Sequence, residues 1–366
     1  MAAHDVHDAH DARVGEAPQN PLVHDIFRHM DRIAQACDSQ FPLYRKARDQ
    51  PWKLSRRGSW LGGFWAALWW KRAAVERTAT SIDTARQWSR RLEPVLPQAS
   101  INRSFVFWYG AGVANQYDSD SAWHALSSAA CARLRNSYDH QQKMYPLGQD
   151  MGGGPEGDRI LNVDSLASLL LLTHLHGDPL DMTLGRQHLD TCVAQLADAD
   201  GRWATQVMPG VAHENRHASL IWSARGQAWA MLGLAQAVRC YGDDYQAAAL
   251  LACQWWRQVR SQQNQPAESS RPWPLPSAAA GASEFDPCAS AIACVALEQM
   301  SRQMSGQPWL REAAQQERAN LVSCMVGENG IFAGHLYKVD AQAASIVETP
   351  CALYFLLEAV MAAVSD

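Results

Sequence analysis

Turns centred on glycine recur along this chain at nearly constant intervals, and each separates two stretches with helical periodicity. Gly177, Gly242 and Gly306 lie 65 and 64 residues apart. Glycine readily adopts the left-handed conformation that closes a helix, and the Asp or Pro that soon follows favours a new helix start. Each unit is therefore predicted to be a helix, a glycine turn, a second helix and a longer loop. Such hairpins bury their apolar faces only by stacking on neighbouring copies.

Helical periodicity of the apolar residues extends over almost the whole chain, and strand-like alternation is scarce. Six stacked hairpins would close into a toroid of inner and outer helices, so the predicted fold is an all-α (α/α)6 barrel. An open solenoid is the alternative, but it would not need long loops, which are predicted at about 138–162, 203–220, 263–286 and 327–347. The predicted helices are 22–37, 60–77, 81–92, 103–117, 120–137, 163–176, 179–198, 221–241, 244–262, 287–304, 308–326 and 349–364.

The barrel is expected to form one domain over residues 21–366, preceded by a tail at residues 1–20. The tail carries a repeated His-Asp pattern, beginning at His4-Asp5. Nothing around this pattern would fix the geometry of a metal site, so a solvated, disordered tail is expected.

Composition excludes several functional classes. The 366 residues are 47% hydrophobic and 19% charged, which is typical of a globular protein with a large core. A net charge of −5 argues against nucleic acid as a partner, and no apolar run is long enough to cross a membrane. No signal peptide is recognisable, so a cytoplasmic protein is expected, with its oligomeric state left open. The 9 cysteines contain no CxxC pair and are interpreted as reduced structural thiols, so no metal site is predicted.

Tryptophan is unusually frequent, with 15 residues against 9 tyrosines and 8 phenylalanines. Indole rings either fill large cores or stack on flat ligands such as sugar rings. Composition therefore leaves both a tryptophan-rich core and a carbohydrate cleft open.

Polar residues occur where the long loops lead into the first helix of each hairpin. Because these helix starts should lie on one rim of the barrel, their side chains are expected to converge. An aspartate at a helix start is more often an N-cap than a catalyst. Several polar groups at one mouth, however, favour a binding site. The positions are Asn102, Asp164, Ser223 to Arg225, Asp286 and Glu348.

Five segments between residues 59 and 360 resemble, in order, the unsaturated glucuronyl hydrolases and the related unsaturated rhamnogalacturonyl hydrolases. That resemblance implies an (α/α)6 barrel, in agreement with the helix pattern. The segments are SWLGGFW at 59–65 followed by LW at 68–69, DS at 164–165 with LLLL at 169–172, ARGQAWA at 224–230, DPCASAIA at 286–293, and YF at 354–355 with LEA at 357–359.

The resemblance implies a substrate and a reaction that needs no cofactor. Enzymes of this group act on oligosaccharides left by polysaccharide lyases, whose terminal uronic acid carries a C4=C5 double bond. An aspartic acid protonates C4, water adds to C5, and the resulting hemiketal opens to release the sugar. Asp164 matches that acid, which must be neutral, as burial would favour. The alternative is that Asp164 merely caps its helix.

The resemblance also implies a set of substrate-binding residues. Arg225 is expected to bind the uronate carboxylate through its guanidinium fork, with a salt bridge at the helix start as the alternative. His213 and His217 lie in the loop where the group places a substrate-binding histidine, and the alternative is that both are solvated. The remaining candidates are Gln227, Trp229, Trp60, Trp65, Asp150 and Asp286. For the three tryptophans, packing in the core is the equal alternative to a place in the pocket wall.

The chain departs from the group at the position of a second aspartate, where it has Asn102, preceded by Ile101 in place of a histidine. An amide can hold a water molecule but cannot accept its proton. Asp150, Glu156 or Asp158 could supply a replacement carboxylate. Two functions therefore stay open. One is hydrolysis of unsaturated uronyl oligosaccharides, and the other is binding or hydrolysis of a different saccharide by a diverged barrel.

Overall fold

Helices make up most of the chain in the computed structural model, which describes residues 20–209, 220–263, 275–276, 283–284, 286–339 and 344–363. With one exception, their ends lie within about three residues of the predicted ones. The α-helices are α1 (Pro21–Cys37), α2 (Gly62–Glu76), α3 (Ala79–Arg90), α4 (Arg103–Phe107), α5 (Ser121–Arg135), α6 (Leu166–Leu175), α7 (Pro179–Leu196), α8 (Ala224–Tyr241), α9 (Gln246–Gln263), α10 (Pro287–Gln303), α11 (Pro308–Met325) and α12 (Pro350–Ala362).

Six of these helices form a closed inner ring. α2 packs against α4, α4 against α6, α6 against α8, α8 against α10, α10 against α12, and α12 returns to α2. The helices that alternate with them in the sequence pack outside this ring, each against an inner helix. The predicted (α/α)6 barrel is therefore confirmed. The expected tail lies mostly outside the described residues, so it stays a prediction, as does the assignment of a single domain to 21–366.

Burial distinguishes the two rings. Every residue from 226 to 238 in α8 is buried, because an inner helix is covered on all sides. The outer helix α7 buries a stripe that includes Leu184, His188 and Cys192, spaced as one face of a helix requires. No helix within the described ranges has both the length and the apolar composition of a membrane span.

Glycine turns connect α6 to α7 and α8 to α9. Gly177 and Gly242 adopt positive φ angles of 65° and 73°, which agrees with their predicted role as helix terminators. Gly306 lies in the turn between α10 and α11 as predicted, but its φ angle is not positive. Asp178 then caps α7, with its side chain accepting from the backbone of Leu180. The inner helices are entered from longer loops, and α2, α6, α8 and α10 are left by short turns. The N-termini of the inner helices therefore share one end of the barrel.

The long loops contain small antiparallel sheets that the sequence pattern did not predict. They occur as two-stranded hairpins and one three-stranded sheet in the order β3-β4-β5, all at the end where the inner helices begin. The strands are β1 (Phe41–Tyr44), β2 (Lys53–Ser55), β3 (Leu161–Asn162), β4 (Ala204–Val207), β5 (Ile221–Trp222), β6 (Leu275–Pro276), β7 (Ser283–Glu284), β8 (Val326–Gly327), β9 (Gly330–Ile331), β10 (Gly334–Lys338) and β11 (Ala344–Glu348).

The α4 helix differs most from its predicted extent of 103–117. Its α-helical part ends at Phe107 and continues as a π-helical turn, in which the Val113 N–H donates to the Trp108 carbonyl at 2.8 Å. The wider turn leaves the Gly110 carbonyl to accept a hydrogen bond of 2.6 Å from the Ser89 hydroxyl on α3. The hydrogen bond from α3 therefore replaces part of the α-helical hydrogen bonding that was expected over residues 103–117.

Substitution of Gly63 tests the close approach of α2 and α4. A Cβ at Gly63 would lie 2.6 Å from the Phe105 carbonyl oxygen and 2.8 Å from the Val106 Cα. We expect Gly63→Ala to lower the free energy of unfolding in urea by roughly 1–3 kcal/mol, because neither backbone atom can move aside. Gly306→Ala is the control, since nothing lies within 4 Å of its Cβ position. Equal free energies of unfolding for the two variants would contradict the close packing of α2 against α4.

Candidate active site

Three charged residues meet at the end of the barrel where the inner helices begin. Asp164 follows β3 directly, Arg225 lies in the first turn of α8, and Asp286 is the N-cap of α10. The three-stranded sheet holds the first two together, because β4 pairs with β3 on one side and with β5 on the other. The Val163 N–H extends this pairing by donating to the Thr205 carbonyl at 3.0 Å.

Arg225 and Asp286 form an ion pair around the backbone of one residue of β10. The Arg225 Nη1 lies 3.0 Å from the Asp286 Oδ2 and donates to the Leu336 carbonyl at 2.6 Å. The other Asp286 oxygen accepts from the backbone N–H groups of Leu336 and Cys288, both at 3.1 Å. The salt bridge that was the alternative for Arg225 is therefore present, and its expected contact with a uronate carboxylate stays a prediction. Both oxygens of Asp286 are engaged within the protein, so Asp286 positions Arg225 instead of facing a substrate as expected.

Asp164 carries the most perturbed carboxyl group of the site. Burial raises its pKa from 3.8 to about 6, the charge of Asp286 adds to the increase, and Arg225 opposes it. Its Oδ1 is buried and accepts no hydrogen bond from the described residues. The N-cap position of α6 belongs to Ser165. The capping role that was the alternative for Asp164 is therefore not what the structure shows.

Asn102 begins the neighbouring inner helix. Its Nδ2 donates to the Met151 carbonyl at 3.2 Å, while its Oδ1 is buried and has no partner among the described residues. Two residues on, the Ser104 hydroxyl lies 2.8 Å from that of Ser168, so the starts of α4 and α6 pack directly together. Asn102 and Asp164 therefore occupy corresponding places on adjacent inner helices, each with an unpartnered oxygen.

The three candidate replacement carboxylates are exposed, and each is engaged by a neighbouring group of the protein. The Asp150 Oδ2 accepts the Ala99 N–H at 2.6 Å. Glu156 is 57% exposed and pairs with the arginine three residues on, and Asp158 accepts from a loop glutamine. No described hydrogen bond or ion pair joins any of them to Asp164. The structure thus shows Asp150 as a loop anchor, and a substrate contact for it stays a prediction.

Aromatic rings form one wall beside the charged group. The Trp60 ring stacks on Tyr337 of β10, with centroids 6.3 Å apart and planes inclined by 26°, and it also contacts Phe105 and His335. Trp60 and Tyr337 both keep part of their surface exposed. The sequence pattern did not single out Tyr337 and His335 as site residues. Their position in the long loop at 327–347, which leads to the same rim, is the sequence feature that could have indicated them.

Two predicted pocket tryptophans lie in the core instead. Trp65 is fully buried and packs edge-on against Trp69 at 5.9 Å. Trp229 is 1% exposed, between Phe105 at 5.0 Å and Phe355 at 5.3 Å. The expectation of substrate contact is corrected for both rings, because neighbouring side chains cover them completely.

Gln227 is also structural. Its Oε1 accepts the Trp203 N–H at 2.7 Å, and its Nε2 donates to two backbone carbonyls at 3.0 and 3.1 Å. The buried amide is therefore saturated within the protein, which corrects its predicted role in binding. His213 and His217 lie outside the described residues, and their proposed contacts stay predictions.

Solved structures resemble this chain over nearly its whole length. The unsaturated glucuronyl hydrolase of Bacillus sp. GL1 is 19% identical with a TM-score of 0.75, over 93% of this chain and 95% of the other. An aspartate-to-asparagine variant of UGL with dGlcA-Glc-Rha-Glc is 19% identical, with a TM-score of 0.76 and the same coverage. A possible member of glycoside hydrolase family 105 from Klebsiella pneumoniae is 12% identical, with a TM-score of 0.68 over 96% and 98%.

No family model matches the chain, and no curated protein matches its sequence. The likeness to the solved structures confirms the barrel. It also shows that the resemblance inferred from the five sequence segments holds for the fold along nearly the whole chain.

The raised pKa of Asp164 predicts a stability cost that Asp164→Asn should remove. Unfolded Asp164 loses its proton near pH 3.8, but the folded carboxyl group keeps it until about pH 6. Folding is therefore penalised increasingly between these pH values, by up to about 3 kcal/mol above them. We expect Asp164→Asn to raise the free energy of unfolding by roughly 1–3 kcal/mol near pH 8 and to leave it unchanged below about pH 4. A variant that is less stable than the wild type near pH 8 would contradict the burial argument.

Proposed function

We propose that this protein is a glycoside hydrolase that removes unsaturated uronic acids from oligosaccharides by protonating and hydrating their C4=C5 double bond. The observation that carries the proposal is the half-buried carboxyl group of Asp164, whose Oδ1 is buried without a partner among the described residues and whose pKa is raised to about 6. A general acid must hold its proton at the working pH, and such a group does so in mildly acidic solution. Action in the cytoplasm stays a prediction.

The proton of Asp164 would pass to C4, and water would then add to the positively charged C5. The hemiketal formed at C5 opens, and the remaining sugar is released. Arg225 has two uses in this sequence. Its guanidinium can bind the uronate carboxylate, and its charge stabilises the Asp164 carboxylate that remains after proton transfer. Asp286 is a positioning residue, because it fixes Arg225 against β10.

Trp60 and Tyr337 supply the kind of surface on which a sugar ring stacks. Their rings are nearly parallel and partly exposed, and they belong to the same rim as Arg225. Aromatic faces bury the apolar side of a sugar while its hydroxyl groups stay available for hydrogen bonds. The saccharide would therefore lie with one face against this wall and its carboxylate towards Arg225.

Asn102 would limit the rate. Its Oδ1 can accept a hydrogen bond from the attacking water, but an amide cannot take the proton. The similar structure of an aspartate-to-asparagine variant of UGL with dGlcA-Glc-Rha-Glc supports the compatibility of asparagine with sugar binding in such a barrel. We therefore infer binding with slow turnover for the natural protein.

Substitution of Asp164 tests the role of the acid. We expect Asp164→Asn to abolish loss of the ultraviolet absorbance of the double bond in lyase-generated disaccharides, while the variant stays folded. The reason is that the amide has no acidic proton to give. Asp83→Asn is the matched control, because that aspartate is 63% exposed on α3, away from the rim. Turnover by Asp164→Asn close to that of the control would remove Asp164 from the mechanism.

Substitution of Asn102 tests the missing base. A carboxylate at this position would accept the proton of the attacking water, and general-base assistance is typically worth about 10²–10⁴ in rate. We expect Asn102→Asp to raise kcat on unsaturated disaccharides towards this range. If neither the wild type nor Asn102→Asp consumes any unsaturated disaccharide, the proposal is wrong and a diverged barrel for a different saccharide takes its place.

A further inference from the structure

The internal repeat places two cysteines at matching positions of adjacent inner helices. Cys288 and Cys351 are each the second residue of a helix, after Pro287 in α10 and after Pro350 in α12, and both are followed by alanine. Both side chains are fully buried, and their Sγ atoms lie 3.9 Å apart. The first turns of two helices thus bring two thiols together under the rim.

A histidine completes the group from a third element. His335 of β10 is fully buried, and its Nδ1 lies 3.0 Å from the Thr349 Oγ1. Its Nε2 is buried without any hydrogen-bond partner among the described residues. One potential ligand atom from each of His335, Cys288 and Cys351 can be chosen so that all three lie within 4.8 Å of one another. An orphaned imidazole nitrogen beside two thiols is the donor set of a soft-metal site.

We propose that Cys288, Cys351 and His335 bind a zinc ion, with the two cysteines as thiolates and the histidine neutral. This site lies outside the proposed catalytic step. It revises the sequence-based expectation that the cysteines are only structural and that no metal is bound.

The spacing and the charge balance both favour zinc. With Zn–S bonds of about 2.3 Å, two ligand sulfurs lie about 3.8 Å apart in tetrahedral and about 4.0 Å apart in trigonal geometry, and the observed 3.9 Å between Cys288 and Cys351 fits both. Two thiolates and a neutral imidazole cancel the charge of Zn²⁺, which matters because an uncompensated charge is costly in a fully buried site. A monovalent copper ion would leave a net negative charge there.

The surroundings provide the support that metal ligands usually have. The Thr349 hydroxyl can accept the Nδ1–H of His335, which fixes the Nε2 as the free nitrogen. Binding replaces the two thiol protons with one Zn²⁺ and changes no oxidation state, so two protons are released per ion. The ion would link α10, α12 and β10. Asp286 caps α10 and Leu336 lies in β10, and these two residues hold Arg225.

The experiment uses the reduced full-length protein, stripped with a chelator and titrated with Zn²⁺. We expect one zinc per chain, release of two protons in calorimetry across buffers of different ionisation enthalpy, and a higher Tm. Cobalt in place of zinc should give intense thiolate-to-metal absorption bands. Bound zinc should also protect Cys288 and Cys351 of the wild type from alkylation, which tests the site without any substitution.

Substitutions locate the ion. Cys288→Ala, Cys351→Ala and His335→Gln should each lower zinc occupancy and weaken the cobalt bands. Cys294→Ala is the matched control, because Cys294 is buried on α10 too but donates to the Ala314 carbonyl, outside the group. The proposal fails if the reduced wild type takes up no zinc, or if uptake persists without protection of these two thiols. Metal content is independent of saccharide turnover, so either proposal can fail alone.

Discussion

The ion pair between Arg225 and Asp286, formed around the backbone of Leu336, is the interaction on which the candidate site depends. It joins the starts of two inner helices to a strand from a distant loop, and Asp286 uses both its oxygens to do so. Because Asp286 is buried, a lone carboxylate there would be costly, and the guanidinium compensates for it. The same guanidinium then sets the electrostatic environment of Asp164.

Closure of the barrel creates that environment. Six inner helices with apolar surfaces on all sides exclude water from the region below the rim, and the desolvation raises the pKa of Asp164. Close packing between inner helices, as at Gly63 of α2 against α4, keeps the diameter of the inner helix ring small. The ionised form of Asp164 therefore destabilises the fold, and the large core compensates for this cost in free energy. Such a compromise is common where function and stability compete.

Repetition of one hairpin explains how different chemistries arise at equivalent places. The starts of four successive inner helices bring Asn102, Asp164, Arg225 and Asp286 to one rim. Each of these positions requires either a side chain that accepts hydrogen bonds from the free backbone N–H groups of the helix start or a side chain that faces the barrel mouth. A single substitution can therefore convert a helix N-cap into a ligand-binding residue or an acid. The paired thiols of Cys288 and Cys351 follow from the same repetition, since equivalent positions on neighbouring helices lie side by side.

The sequence by itself determined the helices, the glycine turns and their closure into a barrel, because helical periodicity and left-handed glycines are local signals. It also placed Asp164 and Arg225 at the rim. Only the tertiary structure decided which residues face the mouth. Trp65, Trp229 and Gln227 share segments with rim residues but point into the core, whereas Tyr337 and His335 reach the site from a strand without a motif. The side of a helix that is covered depends on neighbours distant in sequence, and so do the raised pKa of Asp164 and the π-turn after α4.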